Sequence, residues 1–237
     1  MSHLVCHVNH SIDHISFEKI SSQMRGILIK VDLSRPWAPI RSRLDMEVVL
    51  VLRDTTQTLT GREVARLARS GSQPAVNAAL RRLAEEGIVR AQEAGNAFLY
   101  TLNRDHLAAP ALELLADIGV ELERRLRAEI AEWEIVPAHV SIFGSAARGD
   151  GDTRSDIDLF VVRPARVSEH DLRWRAQLEQ LSEHVHGWTG NHAGLSEVSA
   201  TDLRRLRRER APVVEELQRE AITLAGPEPT ELLGVPR

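Results

Sequence analysis

A chain of 237 residues with 43% hydrophobic content is long enough for two small domains, each with its own core. The formal net charge of −4, from 30 basic and 34 acidic residues, excludes a protein that coats nucleic acid through bulk positive charge. The single cysteine, Cys6, excludes an intrachain disulfide and a four-cysteine zinc site, so a cytoplasmic location is expected.

Residues 1–38 are predicted to be a leader with little fixed structure. Four histidines recur there at roughly helical spacing, and they are His3, His7, His10 and His14. A frayed leader is favoured over a metal site, because no second cluster of ligands accompanies these histidines. The leader does not read as a signal peptide, and no run in the sequence approaches the roughly 20 apolar residues of a membrane-spanning helix, so no membrane partner is expected.

Residues 39–104 show the order of elements that is typical of a winged helix-turn-helix domain. An apolar face predicts a first helix over residues 41–54. The capping-box pair Thr60 and Glu63 marks the start of a second helix, and a third is predicted over residues 73–86. Two strand-like runs separated by a turn-forming stretch follow, which predicts a β-hairpin.

One face of the predicted third helix carries Gln73, Asn77 and Arg81, at positions i, i+4 and i+8. In the third helix of a winged arrangement, these side chains suit contacts with base edges in the major groove of DNA. A solvated helix face explains the same pattern, and winged helices also bind proteins. DNA binding by these three residues is therefore a hypothesis.

Residues 105–136 are predicted to form a long connecting helix. Its apolar stripe is formed by Leu112, Leu115, Ile118, Leu122, Leu126 and Ile130. Such a stripe would suit either a connector between the domains or the seam of a homodimer.

The pattern changes to strands alternating with helices over residues 137–226. Strand-like runs occur at Ala138–Phe143 and Ile157–Val162, and a weaker one occurs at Gly194–Val198. This alternation predicts an α/β-like domain with a small mixed sheet, so the whole chain is predicted to be α+β. Residues 227–237 are predicted to be a tail.

The residues that carry chemistry lie at the ends of the first two of these strands. Gly144 and Ser145 follow the first strand, where backbone N–H groups of a helical turn and the Ser145 hydroxyl can receive phosphate oxygens. Asp156 and Asp158 are two residues apart in the second strand, so their carboxylates project from one face. The two carboxylates repel each other unless a cation lies between them, and Mg²⁺ carrying a nucleoside triphosphate fits that gap.

Further polar residues complete the predicted site. Arg148, Arg154 and Ser155 lie in the loop between the two strands and are expected to contact the triphosphate. A reaction that uses two metal ions requires a third acid, because the attacking hydroxyl of the acceptor needs its own Lewis acid. Glu197 on the third strand is the candidate for this acid, both as a catalytic residue and as a metal ligand, and Asp202 is the fallback.

This motif resembles the signature of the DNA polymerase β-like nucleotidyltransferase superfamily, in particular its minimal nucleotidyltransferases. The resemblance lies in Gly144-Ser145, ten intervening residues and the run Asp156–Asp158 followed by hydrophobic residues. It covers about residues 138–197. It implies a polymerase β-type fold, a phosphate-contacting serine at Ser145, two metal-binding aspartates at Asp156 and Asp158, and a third acid at Glu197, where the family more often has aspartate.

Two functional hypotheses follow. In the first, the chain is an Mg²⁺-dependent nucleotidyltransferase that transfers a nucleoside monophosphate, most simply AMP from ATP, to a hydroxyl of a protein, RNA or small-molecule acceptor. In the alternative, it is a winged-helix transcriptional regulator or antitoxin-like protein whose nucleotidyltransferase domain only senses nucleotide. The amino-terminal segment resembles winged-helix regulators, and chains that join such a domain to a minimal nucleotidyltransferase are similar to this one over nearly its whole length.

Overall fold

The computed structural model of the chain describes residues 33–35 and 37–233. They form two compact units, one before Leu115 and one from Leu115 onward, and each unit has its own buried core. The four histidines of the predicted leader and Cys6 lie outside the described residues. Within the described residues, no helix is long and apolar enough to cross a membrane.

The amino-terminal unit contains three helices and a small antiparallel sheet. Its helices are α1 (Arg43–Arg53), α2 (Gly61–Leu67) and α3 (Gln73–Glu85). Its strands are β1 (Leu59–Thr60), β2 (Val89–Ala94) and β3 (Ala97–Leu102). Strands β2 and β3 form a hairpin, and β1 pairs with the other edge of β3. The three helices and the hairpin occur in the predicted order, whereas the two-residue strand β1 was not predicted.

The core of this unit is built from one face of each helix and the inner face of the hairpin. Helix α3 buries Val76, Ala79, Leu80 and Leu83 completely. Their spacing places them on one side of the helix. The opposite side, which carries Gln73, Asn77 and Arg81, is left out of this core.

Helix α2 begins where the sequence predicts, because Thr60 and Glu63 cap each other. The backbone N–H of Glu63 donates to the Thr60 hydroxyl at 3.3 Å, and the backbone N–H of Thr60 donates to the Glu63 carboxylate at 2.7 Å. Two N–H groups that helix formation would leave without partners are thereby satisfied.

The predicted connecting helix is divided into two. Helix α4 (Ala109–Ala116) and helix α5 (Ile118–Ala131) are separated at Asp117. In the apolar stripe, Leu112 is buried in the amino-terminal core and Leu126 and Ile130 in the carboxy-terminal core, whereas Leu115 and Ile118 are exposed. The stripe therefore does not form one continuous face, and the homodimer stays a prediction.

The carboxy-terminal unit is built on a mixed four-stranded sheet. Its strands are β4 (His139–Ile142), β5 (Ile157–Arg163), β6 (Ala193–Ser199) and β7 (Ile222–Ala225), in the order β6-β5-β4-β7. Strand β5 is parallel to β6 and antiparallel to β4, which is antiparallel to β7. The helices that accompany the sheet are α6 (Gly144–Arg148), α7 (Leu172–Thr189), α8 (Ala200–Glu209), α9 (Pro212–Glu220) and α10 (Pro229–Leu233).

The predicted α+β class with a small mixed sheet is confirmed. Two elements of this unit were not predicted. Strand β7 forms an edge of the sheet, and helix α10 lies in the stretch that was predicted to be a tail. Leu233 of α10 is buried, so this part of the predicted tail belongs to the folded unit.

The alternating side chains of β5 face two different layers. Leu159 and Val161 pack in the core that contains residues of α5 and α7. Phe160 and Val162 pack in the core that contains residues of α8 and α9. Since successive residues of a strand point to opposite faces, Asp158 lies on the same face as Phe160, towards the α8 and α9 layer.

Replacing Thr60 with alanine removes the hydroxyl that caps α2. We expect the free energy of unfolding to fall by about 1 kcal/mol, the usual effect of losing such a cap. Urea denaturation of the variant and the parent protein measures this difference. Thr58→Ala is the matched control, because Thr58 is exposed and lies outside the cap; equal losses in the two variants would contradict the capping role.

Candidate active site

Asp156 and Asp158 lie at the start of β5, and both are close to one glycine of the neighbouring strand. Asp156 directly precedes β5, Asp158 is its second residue, and Gly194 of β6 is paired with Asp158. A Cβ atom added to Gly194 would lie 2.6 Å from Oδ1 of Asp158 and 3.7 Å from Cβ of Asp156. The two acidic side chains are thus on the same side of the strand.

A second glycine lies against the other oxygen of Asp158. The backbone N–H of Phe143 donates to the Asp158 carbonyl at 3.0 Å, which brings the start of α6 beside this residue. A Cβ atom on Gly144 would lie 2.6 Å from Oδ2 of Asp158, and Gly144 has a left-handed backbone with φ of 66°. Both features favour glycine. The Asp158 carboxylate therefore lies between two glycines, one from the segment after β4 and one from β6.

The surroundings of Asp158 disfavour its charged form. Partial burial is the largest cause of the raised pKa of its carboxyl, and the negative charges of Asp156 and Glu216 raise this pKa further. The positive charge of Arg148 acts in the opposite direction. Asp156 itself is exposed. A carboxylate that is partly desolvated and faces other carboxylates gains most from a bound cation.

The residues present fit one Mg²⁺ ion. Mg²⁺ is commonly held by one or two protein carboxylates, and water and substrate phosphates fill its remaining positions. Within residues 33–35 and 37–233, no group of three or more His, Cys, Asp or Glu side chains has the arrangement of a metal site. Asp156 and Asp158 would therefore hold the ion without a third protein carboxylate.

The structure contradicts the assignment of Glu197 as the third acid. Glu197 is paired in register with Val161, so it lies on the opposite face of the sheet from Asp158. There its carboxylate accepts a hydrogen bond from Nε of Arg163 at 2.5 Å. The strand that carries Glu197 was predicted correctly, but the face of the sheet was not, because the face depends on the register between β5 and β6.

The fallback acid, Asp202, is also occupied elsewhere. Its backbone N–H donates to the Ser199 hydroxyl at 3.1 Å at the start of α8, and its carboxylate accepts a hydrogen bond from that hydroxyl at 2.6 Å. This hydrogen bond from the Ser199 hydroxyl is the main reason that the pKa of Asp202 is lowered. Asp202 therefore caps a helix, and it is not a ligand in the acid pair.

Ser145 is placed where the sequence predicts, at the first turn after β4. Its side chain is half-buried, and a Cβ atom on Gly151 would lie 3.1 Å from its hydroxyl oxygen. The backbone N–H of Asp150 donates to the Ser145 carbonyl at 3.1 Å. The loop between α6 and β5 thus folds back beside Ser145.

The other predicted phosphate ligands have partners within the protein. Arg148 pairs with Asp150 at 3.1 Å and with Glu220 at 2.6 Å, and Arg154 pairs with Asp152 at 3.1 Å. The Ser155 hydroxyl accepts the backbone N–H of Asp152 at 3.0 Å. Contact of Arg148, Arg154 and Ser155 with a triphosphate stays a prediction.

Sequence reasoning missed two residues that contact this region, Gly194 and Asn191. A glycine inside a strand pattern signals a close approach of another group, so Gly194 had a signal in the sequence. The Asn191 side chain donates to the carbonyls of Ser155 at 2.7 Å and Asp152 at 3.3 Å. That contact joins segments that are far apart in the sequence, so no local sequence pattern predicts it.

In the amino-terminal unit, the predicted DNA-binding residues line one cavity of about 730 Å³. Gln73, Asn77 and Arg81 of α3 line it together with Phe98 and Tyr100 of β3. The cavity is therefore a concave surface between α3 and the hairpin. Its lining combines amide, guanidinium and aromatic groups.

Comparison with known proteins agrees with the geometry of the carboxy-terminal unit. Residues 123–221 match the model of a family described as "Nucleotidyltransferase domain". This matched stretch includes the glycine-serine turn, both aspartates and Gly194.

Two solved toxin–antitoxin structures resemble part of the chain. A mutant of the toxin–antitoxin MntA-HpeT is 13% identical over 47% of this chain and 80% of that chain, with a TM-score of 0.33. A toxin–antitoxin with AMP-PNP is 15% identical over the same shares of the two chains, with a TM-score of 0.32. Neither likeness is close enough to carry a conclusion about function. No curated protein matches the chain.

The raised pKa of Asp158 predicts how its removal changes stability. Because the folded-state pKa lies above the ordinary value of 3.8, the charged carboxylate destabilises the fold once the pH exceeds both values. We expect metal-free Asp158→Asn to have a higher free energy of unfolding than the parent at neutral pH. The difference should vanish in acid, where Asp158 is protonated.

Urea denaturation in buffer with chelator, at neutral and acidic pH, measures this effect. Asp152→Asn is the contrasting variant, because hydrogen bonds, first from the Arg154 backbone, lower the pKa of Asp152. Its loss should destabilise the fold at neutral pH. A destabilised Asp158→Asn at neutral pH would contradict the electrostatic account of the site.

Proposed function

We propose that the nucleotidyltransferase domain transfers a nucleoside monophosphate from an Mg²⁺-bound nucleoside triphosphate, most simply ATP, to a hydroxyl of an acceptor. One observation carries the proposal. The Asp158 carboxylate is enclosed by Gly144 and Gly194 and faces Asp156, beside a glycine-serine turn. This arrangement leaves negative charge uncompensated next to a turn suited to phosphate, which is the chemistry that a metal–triphosphate complex supplies.

Each residue has a defined role in this proposal. Asp156 and Asp158 hold Mg²⁺, which when bound draws negative charge from the triphosphate. Ser145 offers a hydroxyl to a phosphate oxygen, and Gly144 allows the phosphate to approach the backbone closely. Arg148, whose positive charge acts to lower the pKa of Asp158, would contact the triphosphate in this proposal. Catalysis then comes mainly from positioning and from stabilising developing charge.

The reaction is a substitution at the α-phosphorus. The acceptor oxygen forms a bond to this phosphorus, and the bond from the phosphorus to the bridging oxygen breaks. Pyrophosphate leaves with the bonding electrons, and the hydroxyl proton is released to water. The acceptor belongs to one of three classes, namely a protein hydroxyl, an RNA end or a small molecule, and mass spectrometry of the labelled product distinguishes them.

Asp156→Asn tests the metal site directly. We expect the variant to keep its fold and to lose NMP transfer by at least about a hundredfold, because a metal ligand contributes several kcal/mol of charge stabilisation. The assay follows α-labelled ATP with Mg²⁺ and cell extract. Glu197→Gln is the matched change of a carboxylate to an amide, and it should retain transfer because Glu197 faces the other side of the sheet. Transfer by Asp156→Asn would refute the assignment.

The cavity between α3 and the hairpin favours a second function, binding of DNA. Gln73 and Arg81 are exposed on its wall, and Asn77 lies between them. Amide and guanidinium groups have hydrogen-bonding geometries that suit base edges. A regulator or antitoxin-like protein that only senses nucleotide would use this surface and would not label an acceptor.

A gel-shift titration with the DNA upstream of the coding sequence tests this surface. We expect Arg81→Ala to weaken binding by about 1–3 kcal/mol, the usual effect of losing one base contact. Arg124→Ala is the matched control, because Arg124 is an exposed arginine of α5 that pairs with Glu121. Labelling of an acceptor without a shift by the parent protein would instead favour recruitment of a protein or RNA acceptor by this unit.

A further inference from the structure

We propose that the segment Asn191–Gly194, which leads into β6, is the positioning element of the acid pair. Gly194 leaves the space that the Asp158 carboxylate occupies, and Asn191 fixes the loop from which Asp156 projects. This inference rests on the proposed function, because it explains how two repelling carboxylates are held ready for one cation.

The first argument concerns the space at Gly194. Gly194 lies inside β6 and is not among the glycines with positive φ, so its backbone conformation would accept alanine. The obstacle to a side chain is Oδ1 of Asp158, 2.6 Å from the position of a Cβ atom. The carboxylate is the end of a side chain and can rotate away. A methyl group at this position would therefore move Asp158 and leave the strand in place.

The two glycines together leave space for both oxygens of the carboxylate. Gly194 lies against Oδ1, and Gly144 lies against Oδ2. Gly144 is a poor site for a test, because its φ of 66° would strain any other residue regardless of the carboxylate. Gly194 is the better site, because its φ is not positive and the nearest atom to an added Cβ is Oδ1 of Asp158 at 2.6 Å.

The second argument concerns the backbone on either side of Asp156. The carbonyl of Ser155 accepts the Asn191 side-chain amide at 2.7 Å, and the N–H of Ile157 donates to the carbonyl of His192 at 2.8 Å. Both neighbours of Asp156 are thus tied to the same short segment. The Asp156 side chain remains exposed, so the tie fixes its point of attachment and leaves the carboxylate accessible.

Asn191 is itself held by the end of α7. Its backbone N–H donates to the Thr189 hydroxyl at 3.0 Å, and that hydroxyl donates to the Val185 carbonyl at 2.7 Å. A short series of hydrogen bonds therefore runs from α7 through Asn191 to the loop before β5. Groups that orient metal ligands in this way commonly change metal affinity by about 10- to 100-fold when they are lost.

Gly194→Ala tests the first argument without relying on catalysis. We expect Mn²⁺, measured as free ion by electron paramagnetic resonance, to bind at least about tenfold more weakly than to the parent protein. Gly187→Ala is the matched control in the same unit, because a Cβ atom there has no neighbour within 4 Å. Equal Mn²⁺ affinity in Gly194→Ala and the parent would overturn the role of Gly194.

A double-mutant cycle without metal separates this inference from the proposed function. Gly194→Ala is introduced into the parent and into Asp158→Ala, and the stability of all four proteins is measured by urea denaturation. We expect alanine at position 194 to destabilise the parent, but to be neutral or stabilising once the carboxylate is gone. Additive effects would overturn the positioning role. Coupling in a parent protein that binds no Mn²⁺ and transfers no NMP would uphold the positioning role and overturn the proposed function.

Asn191→Ala tests the second argument. We expect weaker Mn²⁺ binding, since the loop that carries Asp156 loses two hydrogen bonds from one side chain. Asn103→Ala is the matched control, because Asn103 donates one side-chain hydrogen bond to the Gly87 carbonyl in the amino-terminal unit. Parent-like Mn²⁺ affinity in Asn191→Ala, with the fold intact, would overturn the role of Asn191.

Discussion

Repulsion between the carboxylates of Asp156 and Asp158, at the start of β5, is the interaction on which the candidate site depends. Asp158 is partly buried, Asp156 precedes it by two residues, and Glu216 adds further negative charge. Arg148 opposes this charge, but it already pairs with Asp150 and Glu220. Charge that is removed from water and not paired is costly to the fold. A bound divalent cation would neutralise this charge, and the relief of the repulsion would add to the affinity for the cation.

The register between β5 and β6 explains both the space around Asp158 and why the acid of β6, Glu197, does not lie beside it. The residue opposite Asp158 is Gly194, which gives the carboxylate room. The same register turns Glu197 to the other face, where Arg163 neutralises it. A carboxylate at position 194 would compete with Asp158 for the same volume.

Much of this arrangement was predictable, because it depends on local periodicity. The two-residue periodicity of side chains in a strand placed Asp156 and Asp158 on one face of the predicted strand β5. The capping box at Thr60 predicted the start of α2. Strand β7 and helix α10 are short segments whose pairing and burial depend on distant residues. The side of the sheet that Glu197 faces was not predictable either, because it depends on how β6 pairs with β5. A shift of one residue in the pairing of β6 reverses every side chain, and the sequence alone does not specify that pairing.

Glycine has the same physical role at the candidate sites of both units. In the amino-terminal unit, a Cβ atom on Gly61 of α2 would collide with the Asn77 amide of α3, one of the side chains that line the cavity. In the carboxy-terminal unit, Gly194 leaves room for Asp158. In each case a neighbouring element has no side chain where the polar group lies, so a glycine provides the space that the polar group occupies. A group positioned by shape keeps its hydrogen-bonding or charge capacity for a ligand, and that is the property a binding or catalytic residue requires.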